Sequence, residues 1–165
     1  MISLDNFKEI KYFILDIDGV LTDSTLLIDP QGNLQRKMNI KDGYALQLAI
    51  AKGYEIIILS GGKYLPIQKR MEGLGIKRVF LGVADKVDVL KDLVKKNIIS
   101  LDKTLYMGDD MPDFHAIQKA FIAACPADAC TDIKAVANYI SPIKGGKGCV
   151  REVIEKVLKL NGDWE

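Results

Sequence analysis

Acidic residues cluster at two places in this sequence, each directly after a short apolar run. The first cluster, Asp16-Ile17-Asp18-Gly19, follows the run at 12–15, and the second, Gly108-Asp109-Asp110, follows the run at 104–107 with Asp113 close behind. Several carboxylates in one crevice repel one another unless a cation neutralises them. Oxygen ligands without a nearby His or Cys favour a hard ion, Mg²⁺ before Ca²⁺. The two clusters therefore predict a magnesium site, provided that the fold brings them together.

Phosphoryl transfer is the chemistry that this set of groups suits. A carboxylate beside Mg²⁺ can attack phosphorus and form an aspartyl-phosphate, and a second carboxyl two residues on can protonate the leaving alcohol and then activate water. Ser60-Gly61-Gly62 and Lys86 follow two further apolar runs, and a hydroxyl, backbone amides and an ammonium can hold the phosphoryl oxygens. The plainer explanations are a helix cap for Asp110 and Asp113, an N-cap for Ser60 and a solvated side chain for Lys86. Polar groups at four successive strand ends favour the functional interpretation.

Short apolar runs alternate with helical patterns along the chain. The runs at 12–15, 54–59, 78–81, 104–107 and 120–124 have the composition of strands buried on both faces. Asp42 is predicted to cap a helix that ends at Gly53, Pro66 to lie in the first turn of a second helix and Asp85 to precede a third. A last amphipathic helix covers 150–158. This alternation predicts an α/β doubly wound, mostly parallel sheet, in which ligands bind beyond the carboxyl ends of the strands.

One insertion interrupts the alternation. Residues 24–40 hold two short apolar stretches around Asp29-Pro30-Gln31-Gly32, which predicts a β-hairpin between the first strand and the first helix. The sequence contains no linker, internal repeat or change of composition. Residues 1–165 are therefore expected to form a single domain.

The composition argues against several classes of partner. With 23 Lys and Arg against 22 Asp and Glu, the net charge is +1, so no global field attracts nucleic acid or an acidic membrane. The longest apolar runs, 56–59 and 121–125, are far too short to span a bilayer. The N-terminus lacks a signal-peptide pattern, and the three cysteines show no CxxC spacing. We therefore expect a cytoplasmic protein with neither a disulfide nor a zinc site.

The order and spacing of the polar groups resemble the four motifs of the haloacid dehalogenase (HAD) phosphatase superfamily. The motifs match at 16–22, Ser60, Lys86 and 108–113. From about residue 8 to about residue 158 the chain also resembles the small, capless branch that contains the 3-deoxy-D-manno-octulosonate 8-phosphate (Kdo-8-phosphate) phosphatases. The features specific to that branch are the segments at 39–44, 81–86 and 145–152.

The resemblance implies a role for each matching residue. Asp16 would be the nucleophile and a Mg²⁺ ligand, Asp18 the acid/base with its backbone carbonyl on the metal, and Asp109 the third protein ligand. Asp110 and Asp113 would be outer-shell partners of the metal. Ser60 and Lys86 would bind the transferring phosphoryl group. Contacts to the substrate are implied for Asn39, Ile40, Lys41, Asp42, Gly43, Gln47, Gly61, Gly62 and Arg70.

The reaction that the resemblance implies is the hydrolysis of Kdo-8-phosphate to Kdo and phosphate, a step of lipopolysaccharide biosynthesis. One position departs from the family pattern. Gly62 stands where many members have an arginine that suits a substrate carboxylate, and Lys63 or Arg70 are the candidates to replace it. The departure leaves open an alternative substrate, a nine-carbon keto-deoxy sugar-acid 9-phosphate of the KDN or sialic-acid type.

The resemblance also implies a homotetramer in which hairpins meet and a neighbouring subunit covers the active site. An exposed hairpin at 24–40 fits this idea because its edges invite pairing, with a flap on its own sheet as the alternative. The Gly-rich segment at 145–148 is expected to be mobile and to reach a neighbour's site. His115 is expected at the surface, and Trp164 in a disordered terminus.

Two remoter functions are a phospho-accepting receiver and an inactive scaffold. A receiver carries its acceptor Asp at the tip of the third strand, whereas the third predicted strand here is followed by Gly82-Val83-Ala84. An inactive scaffold has no need of an intact Asp16, Asp18, Lys86 and Asp109.

Overall fold

Eight strands and seven α-helices are present in the computed structural model, which describes residues 2–165. The strands are β1 (Tyr12–Leu15), β2 (Leu27–Ile28), β3 (Leu34–Gln35), β4 (Glu55–Leu59), β5 (Arg78–Phe80), β6 (Thr104–Met107), β7 (Ile122–Cys125) and β8 (Tyr139–Ile140). The helices are α1 (Leu4–Lys8), α2 (Ile40–Ala51), α3 (Leu65–Gly73), α4 (Lys86–Lys95), α5 (Phe114–Ile117), α6 (Thr131–Val136) and α7 (Cys149–Asn161).

Six strands form one parallel sheet in the order β5-β4-β1-β6-β7-β8, and β2 pairs with β3 in a separate antiparallel hairpin. In the register of the sheet, Leu15 is level with Ile58 on one side and with Met107 on the other. The carboxyl ends of β1, β4 and β6 therefore meet at one edge, where the chain turns away to both sides of β1. The predicted α/β doubly wound parallel sheet is confirmed.

The sheet is buried on both faces because successive side chains of its central strands point in opposite directions. Phe13 and Leu15 pack into the core beneath α2 and α7, whereas Ile14 packs into the core beneath α4 and α5. All three are fully buried. This explains why the central strands are near-continuous apolar runs.

Some predicted boundaries are wrong. Asn39, not Asp42, caps α2: its side chain accepts a hydrogen bond from the Lys41 amide at 2.9 Å, and the helix begins at Ile40. β5 is an edge strand whose residues are all half-exposed, so it is not buried on both faces. The strand predicted at 120–124 runs over Ile122–Cys125, and β8 has only two residues, too few for a periodic pattern.

The Gly-rich segment at 145–148 is not a mobile arm. The Gly146 amide donates to the Val20 carbonyl at 2.9 Å. An ideal Cβ at Gly145 would lie 1.9 Å from the Gly19 carbonyl oxygen. The segment therefore packs against the turn after β1 of its own chain, because glycine lets the two backbones approach closely.

Trp164, the residue before the last, is also packed against the fold, contrary to expectation. Its ring lies edge-on to that of Tyr44, with centroids 6.1 Å apart, and the Arg151 guanidinium carbon lies 5.2 Å from it. These aromatic and cation–π contacts stabilise a terminal segment that was predicted to be disordered from its position in the sequence alone. His115 is exposed, as expected.

The hairpin lies within 24–40 as predicted, but its second arm ends at Gln35, and residues 36–39 lead into α2. Each of its strands has two residues. No helix within residues 2–165 has the length and apolar character needed to cross a bilayer.

Candidate active site

Asp16 follows the last residue of β1 and is almost fully buried. Its Oδ1 accepts a hydrogen bond from the Ile17 amide at 2.7 Å, and its Oδ2 lies 3.1 Å from Nζ of Lys86. Burial and the nearby Asp113 carboxylate raise the pKa of Asp16 well above its usual range, and Lys86 opposes them only in part. A charged Asp16 thus needs more positive charge than Lys86 supplies.

Asp109, two residues beyond β6, faces Asp16 across the crevice. An ideal Cβ at Gly19 would lie 1.8 Å from its Oδ2, so the turn after β1 leaves room for this carboxylate only as glycine. Its Oδ1 is buried and has no hydrogen-bond partner. Burial, then the charges of Asp16 and Asp113, raise the pKa of Asp109 to about 7.

Asp113 anchors the cationic side of the crevice. Its Oδ1 accepts hydrogen bonds of 2.6 Å from both Nζ of Lys86 and the Tyr106 hydroxyl, and its Oδ2 accepts one of 3.3 Å from the Asp109 amide. Gly108 makes this possible, because an ideal Cβ there would lie 2.4 Å from Cγ of Asp113. Asp113 therefore positions Lys86 and Asp109 rather than capping a helix.

Lys86 begins α4, directly after its N-cap Asp85, and is buried. Burial alone lowers the pKa of a lysine, but the Asp16 and Asp113 carboxylates outweigh it and raise the pKa of Lys86 above its usual range. The plainer explanation of Lys86 as a solvated helix residue is therefore wrong. Asp110, in contrast, does cap the next turn: its side chain accepts from the Met111 amide at 2.8 Å.

Asp18 lies on the other side of the crevice and contacts a residue that the sequence did not indicate. Nε of Arg36 donates to its Oδ1 at 2.6 Å, and Nη2 of Arg36 donates to its Oδ2 at 3.0 Å. Arg36 follows β3, so the hairpin brings it here. Neither Arg36 nor Tyr106 stood in a recognisable motif: one is a lone charge in a polar stretch, the other an aromatic residue in a buried strand.

The crevice itself has a volume of about 390 Å³. All the predicted catalytic and metal residues line it, namely Asp16, Asp18, Ser60, Lys86 and Asp109. The predicted outer partner Asp110 lines it too, as do Gly61 and Gly62, with Ser24 and Leu26 from the start of the hairpin segment. Ser60 is buried, and its Oγ accepts a hydrogen bond from the Gly62 amide at 3.3 Å. The four strand ends thus converge on one cavity, as their spacing predicts.

The residues of this crevice fit a hard divalent cation. One oxygen each of Asp16, Asp109 and Asp113 lies within 4.8 Å of the others. Asp113 is the least suited of the three because its oxygens already accept hydrogen bonds. The unpartnered Oδ1 of Asp109 and the repulsion between buried carboxylates are what a cation would relieve.

The remaining residues of the implied substrate set lie elsewhere on the chain. Asn39, Ile40 and Lys41 line a separate surface pocket with Lys147. Asp42 is buried, and its Oδ1 accepts from the Arg151 amide at 2.7 Å. Gln47 is exposed on α2, and the Arg70 guanidinium lies against Gly43. Within one chain, none of the seven lines the carboxylate crevice; they are Asn39, Ile40, Lys41, Asp42, Gly43, Gln47 and Arg70.

No family model matches the chain. The Kdo-8-phosphate phosphatase of Escherichia coli (strain K12), however, is 32% identical over 155 residues, which cover 94% of this chain and 82% of that protein. The chain belongs to the Kdo-8-phosphate phosphatase family. The family's enzyme from Haemophilus influenzae is also 32% identical, over 94% of this chain and 86% of its own length.

Solved structures of Kdo-8-phosphate phosphatases have the same fold. The enzyme of Moraxella catarrhalis, in complex with a magnesium ion, a phosphate ion and Kdo, superposes with a TM-score of 0.92 at 33% identity, over 98% of this chain and 92% of that one. A cobalt-bound enzyme from Haemophilus influenzae gives 0.90 at 31% identity, over 96% and 93%. These relatives thus bind divalent metals, one of them together with phosphate and Kdo.

Proposed function

We propose that this chain is a Mg²⁺-dependent phosphatase that hydrolyses Kdo-8-phosphate to Kdo and phosphate through an aspartyl-phosphate on Asp16. The observation that carries the proposal is the convergence of Asp16, Asp109, Ser60 and Lys86 on one crevice, in a chain of this family. The nine-carbon sugar-acid phosphate is the second candidate, because Gly62 lacks the side chain of the family arginine.

In the proposed mechanism, Asp16 and Asp109, with the backbone carbonyl of Asp18, would hold the cation. When bound, Mg²⁺ supplies positive charge that lets the carboxylates ionise together and offsets charge on the phosphoryl group. Lys86 lies 3.1 Å from Asp16 and within reach of the same phosphoryl oxygens. The Ser60 hydroxyl and the backbone amides of Gly61 and Gly62 complete the phosphoryl-binding wall.

The reaction then proceeds in two steps. A carboxylate oxygen of Asp16 attacks phosphorus, the bond to the sugar oxygen breaks, and Asp18 gives its proton to the departing alcohol. Asp18 afterwards takes a proton from water, whose oxygen attacks the phosphorus of the aspartyl-phosphate; the bond between phosphorus and the Asp16 oxygen breaks, which restores the Asp16 carboxylate and releases phosphate. Asp113 moves no proton; it keeps Lys86 and the Asp109 backbone in place through one hydrogen bond to each, and a third hydrogen bond, from the Tyr106 hydroxyl, holds Asp113 itself.

Assembly through the hairpin is part of the proposal. Leu26, Leu27, Ile28 and Leu34 of the hairpin segment are 45%, 59%, 66% and 40% exposed. Two strands of two residues each cannot stabilise such an apolar surface by themselves. We therefore propose a homotetramer in which this apolar surface packs against the same surface of other subunits. In this assembly, Asn39 and Lys41 of one subunit would contact the sugar bound in the crevice of a neighbouring subunit.

The remaining expectations fit the same proposal. Residues 1–165 act as one phosphatase domain, and its substrate is a small molecule rather than a nucleic acid or a membrane. The three cysteines are unpaired, two of them buried, which suits the reducing cytoplasm. The family resemblance would place the product, Kdo, in lipopolysaccharide biosynthesis.

The test is the release of phosphate from a panel of substrates with and without Mg²⁺. We expect Kdo-8-phosphate to give the highest kcat/KM, the nine-carbon acid phosphate a lower one, and EDTA to abolish both. No Mg²⁺-dependent release from either acid would overturn the proposal. A higher kcat/KM for the nine-carbon substrate would favour the second candidate.

A further inference from the structure

Arg36 forms a bidentate ion pair with Asp18 at the crevice. Its Nε and Nη2 both donate to the Asp18 carboxylate, at 2.6 and 3.0 Å. The guanidinium carbon lies 4.9 Å from the centroid of the Tyr64 ring. The Arg36 side chain is only 9% exposed, whereas that of Asp18 is 41% exposed. The hairpin segment thus inserts a desolvated arginine between Tyr64 and the proposed acid/base.

This pair does not suit an enzyme in the middle of turnover. Asp18 needs a carboxyl oxygen that can carry a proton to the leaving alcohol and later take one from water. The Arg36 guanidinium fork occupies both carboxylate oxygens, so neither of them can face a leaving alcohol or a water molecule. The contact therefore suits the ligand-free enzyme and has to be released when substrate is in place.

The space beside Gly62 explains why the arginine comes from the hairpin. An ideal Cβ at Gly62 would lie 3.5 Å from Oδ2 of Asp18 and 3.7 Å from Nη2 of Arg36, so a long side chain at 62 would enter the volume that Arg36 fills. The two cations that the sequence offered as replacements are elsewhere. Lys63 lies along Gly82, and the Arg70 guanidinium lies against Gly43.

We propose that Arg36 exchanges partners during turnover. In the ligand-free enzyme it pairs with Asp18; when substrate binds, an oxyanion of the substrate takes over the guanidinium and Asp18 becomes free to transfer protons. The exchange replaces one ion pair by another and breaks no covalent bond. It rests on the proposed function. The oxyanion is either the carboxylate of the sugar acid or the phosphoryl group, and the two sources give different kinetics.

The kinetic test compares Arg36→Ala and Arg36→Lys with the control Lys95→Ala, which removes an exposed cation at the end of α4 that has no ion pair within residues 2–165. The substrates are Kdo-8-phosphate and p-nitrophenyl phosphate, which has no carboxylate. Loss of a bidentate charge-assisted contact in Arg36→Ala should raise KM by about tenfold. A rise for Kdo-8-phosphate alone identifies the carboxylate as the partner, and a rise for both substrates identifies the phosphoryl group.

Arg36→Lys keeps the charge without the fork, so we expect it to recover part of the lost KM. Two results would overturn the exchange. One is an Arg36→Ala enzyme whose KM values for both substrates stay within about twofold of wild type, a difference below roughly 0.5 kcal/mol. The other is a fall of kcat alone, which would make Arg36 only a structural support of Asp18.

A binding measurement keeps the proposal testable without turnover. The Nε–H resonance of Arg36 can be assigned by its loss in Arg36→Lys, and followed while inorganic phosphate or Kdo is added with Mg²⁺. We expect the resonance to shift with one of the two probes; no shift at saturation with either would overturn the exchange. A wild-type chain that hydrolyses no Kdo-8-phosphate would instead overturn the proposed function, so the two failures are distinguishable.

Discussion

The carboxylate crevice and the hairpin segment are built in opposite ways. In the crevice, most buried polar side chains are held by the chain itself, and Asp113 accepts hydrogen bonds from three groups; the exception is Oδ1 of Asp109, which has no partner among the described residues. In the hairpin, apolar side chains such as Ile28 stand two-thirds exposed on strands of two residues. The first region is organised by its own fold, whereas the second has surface left to bury. Arg36 connects them by reaching from the hairpin segment to Asp18.

The largest expected effect is a loss of kcat on substitution of the proposed nucleophile in the crevice. Asp16→Asn keeps the shape of the side chain and its hydrogen bond from the Ile17 amide, but it removes the nucleophilic oxygen and a charge beside the cation. We expect kcat to fall below about a hundredth of wild type, a loss of at least ~2.7 kcal/mol of transition-state stabilisation. The control is Asp132→Asn on the exposed first turn of α6. A variant that retains more than about a hundredth of the wild-type kcat would contradict the covalent route.

The proposed acid/base gives the next largest effect, and one that depends on the substrate. Asp18→Asn removes the proton that a poor leaving group needs, so kcat for an alkyl phosphate should fall by roughly 10²–10⁴-fold. With p-nitrophenyl phosphate, whose leaving group needs little protonation, the loss should be clearly smaller. Equal losses for the two substrates would mean that Asp18 is not the acid.

Two glycines with left-handed backbones compare the regions directly. Gly19 in the crevice has φ +89° and Gly32 in the hairpin has φ +81°, so alanine pays a similar backbone cost of about 1–2 kcal/mol at both. Only at Gly19 would the new Cβ meet a neighbour, the Asp109 carboxylate. We expect Gly19→Ala to raise the half-saturating Mg²⁺ concentration at least about tenfold, the effect of ~1.4 kcal/mol. Gly32→Ala should leave it unchanged, and equal Mg²⁺ requirements would break the comparison.

The buried carboxylate of Asp42, in the first turn of α2, predicts a free energy of unfolding that depends on pH. Burial raises the pKa of Asp42 to about 6, although the Arg151 amide and charge oppose it. A raised pKa means that the protonated form is favoured on folding, so this contribution is complete below about pH 4 and is lost as the pH rises through 6.

Asp42→Asn does not titrate, so it should gain stability relative to wild type between pH 4 and pH 7. At ~1.36 kcal/mol per pKa unit the gain is at most about 3 kcal/mol. Urea unfolding at several pH values measures it, with Asp132→Asn as the exposed control. A stability difference between variant and wild type that does not change with pH would refute the assignment.

The smallest expected effect on chemistry belongs to the hairpin. Replacing Leu27 and Ile28 by Ser should give a smaller species in light scattering and raise KM for Kdo-8-phosphate a few-fold, because the proposed neighbour contacts are lost. Turnover of p-nitrophenyl phosphate should stay close to wild type, as it should for the turn control Gln31→Ser. An active wild-type monomer at assay concentration would refute the proposed assembly and leave the crevice untouched.

Local chemistry by itself determined the strands, most of the helices and the content of the crevice. Apolar runs that end in Asp16 or Ser60 define buried parallel strands, and parallel strands must bring their carboxyl ends together. Gly53 likewise marks the end of α2, since its φ of +88° suits glycine. Such signals are short-range, so they survive in the sequence without knowledge of distant partners.

Contacts between distant segments were decided only by the tertiary structure. The Arg36–Asp18 pair and the packing of Gly145 on the Gly19 carbonyl both depend on how loops cross at the sheet edge. Asp42 had the residue type and position of an N-cap, but Asn39 took that role because α2 begins earlier and α7 claims the Asp42 carboxylate. When a side chain has both a local and a long-range partner of suitable chemistry, its residue type does not determine which of the two the fold brings within hydrogen-bond distance.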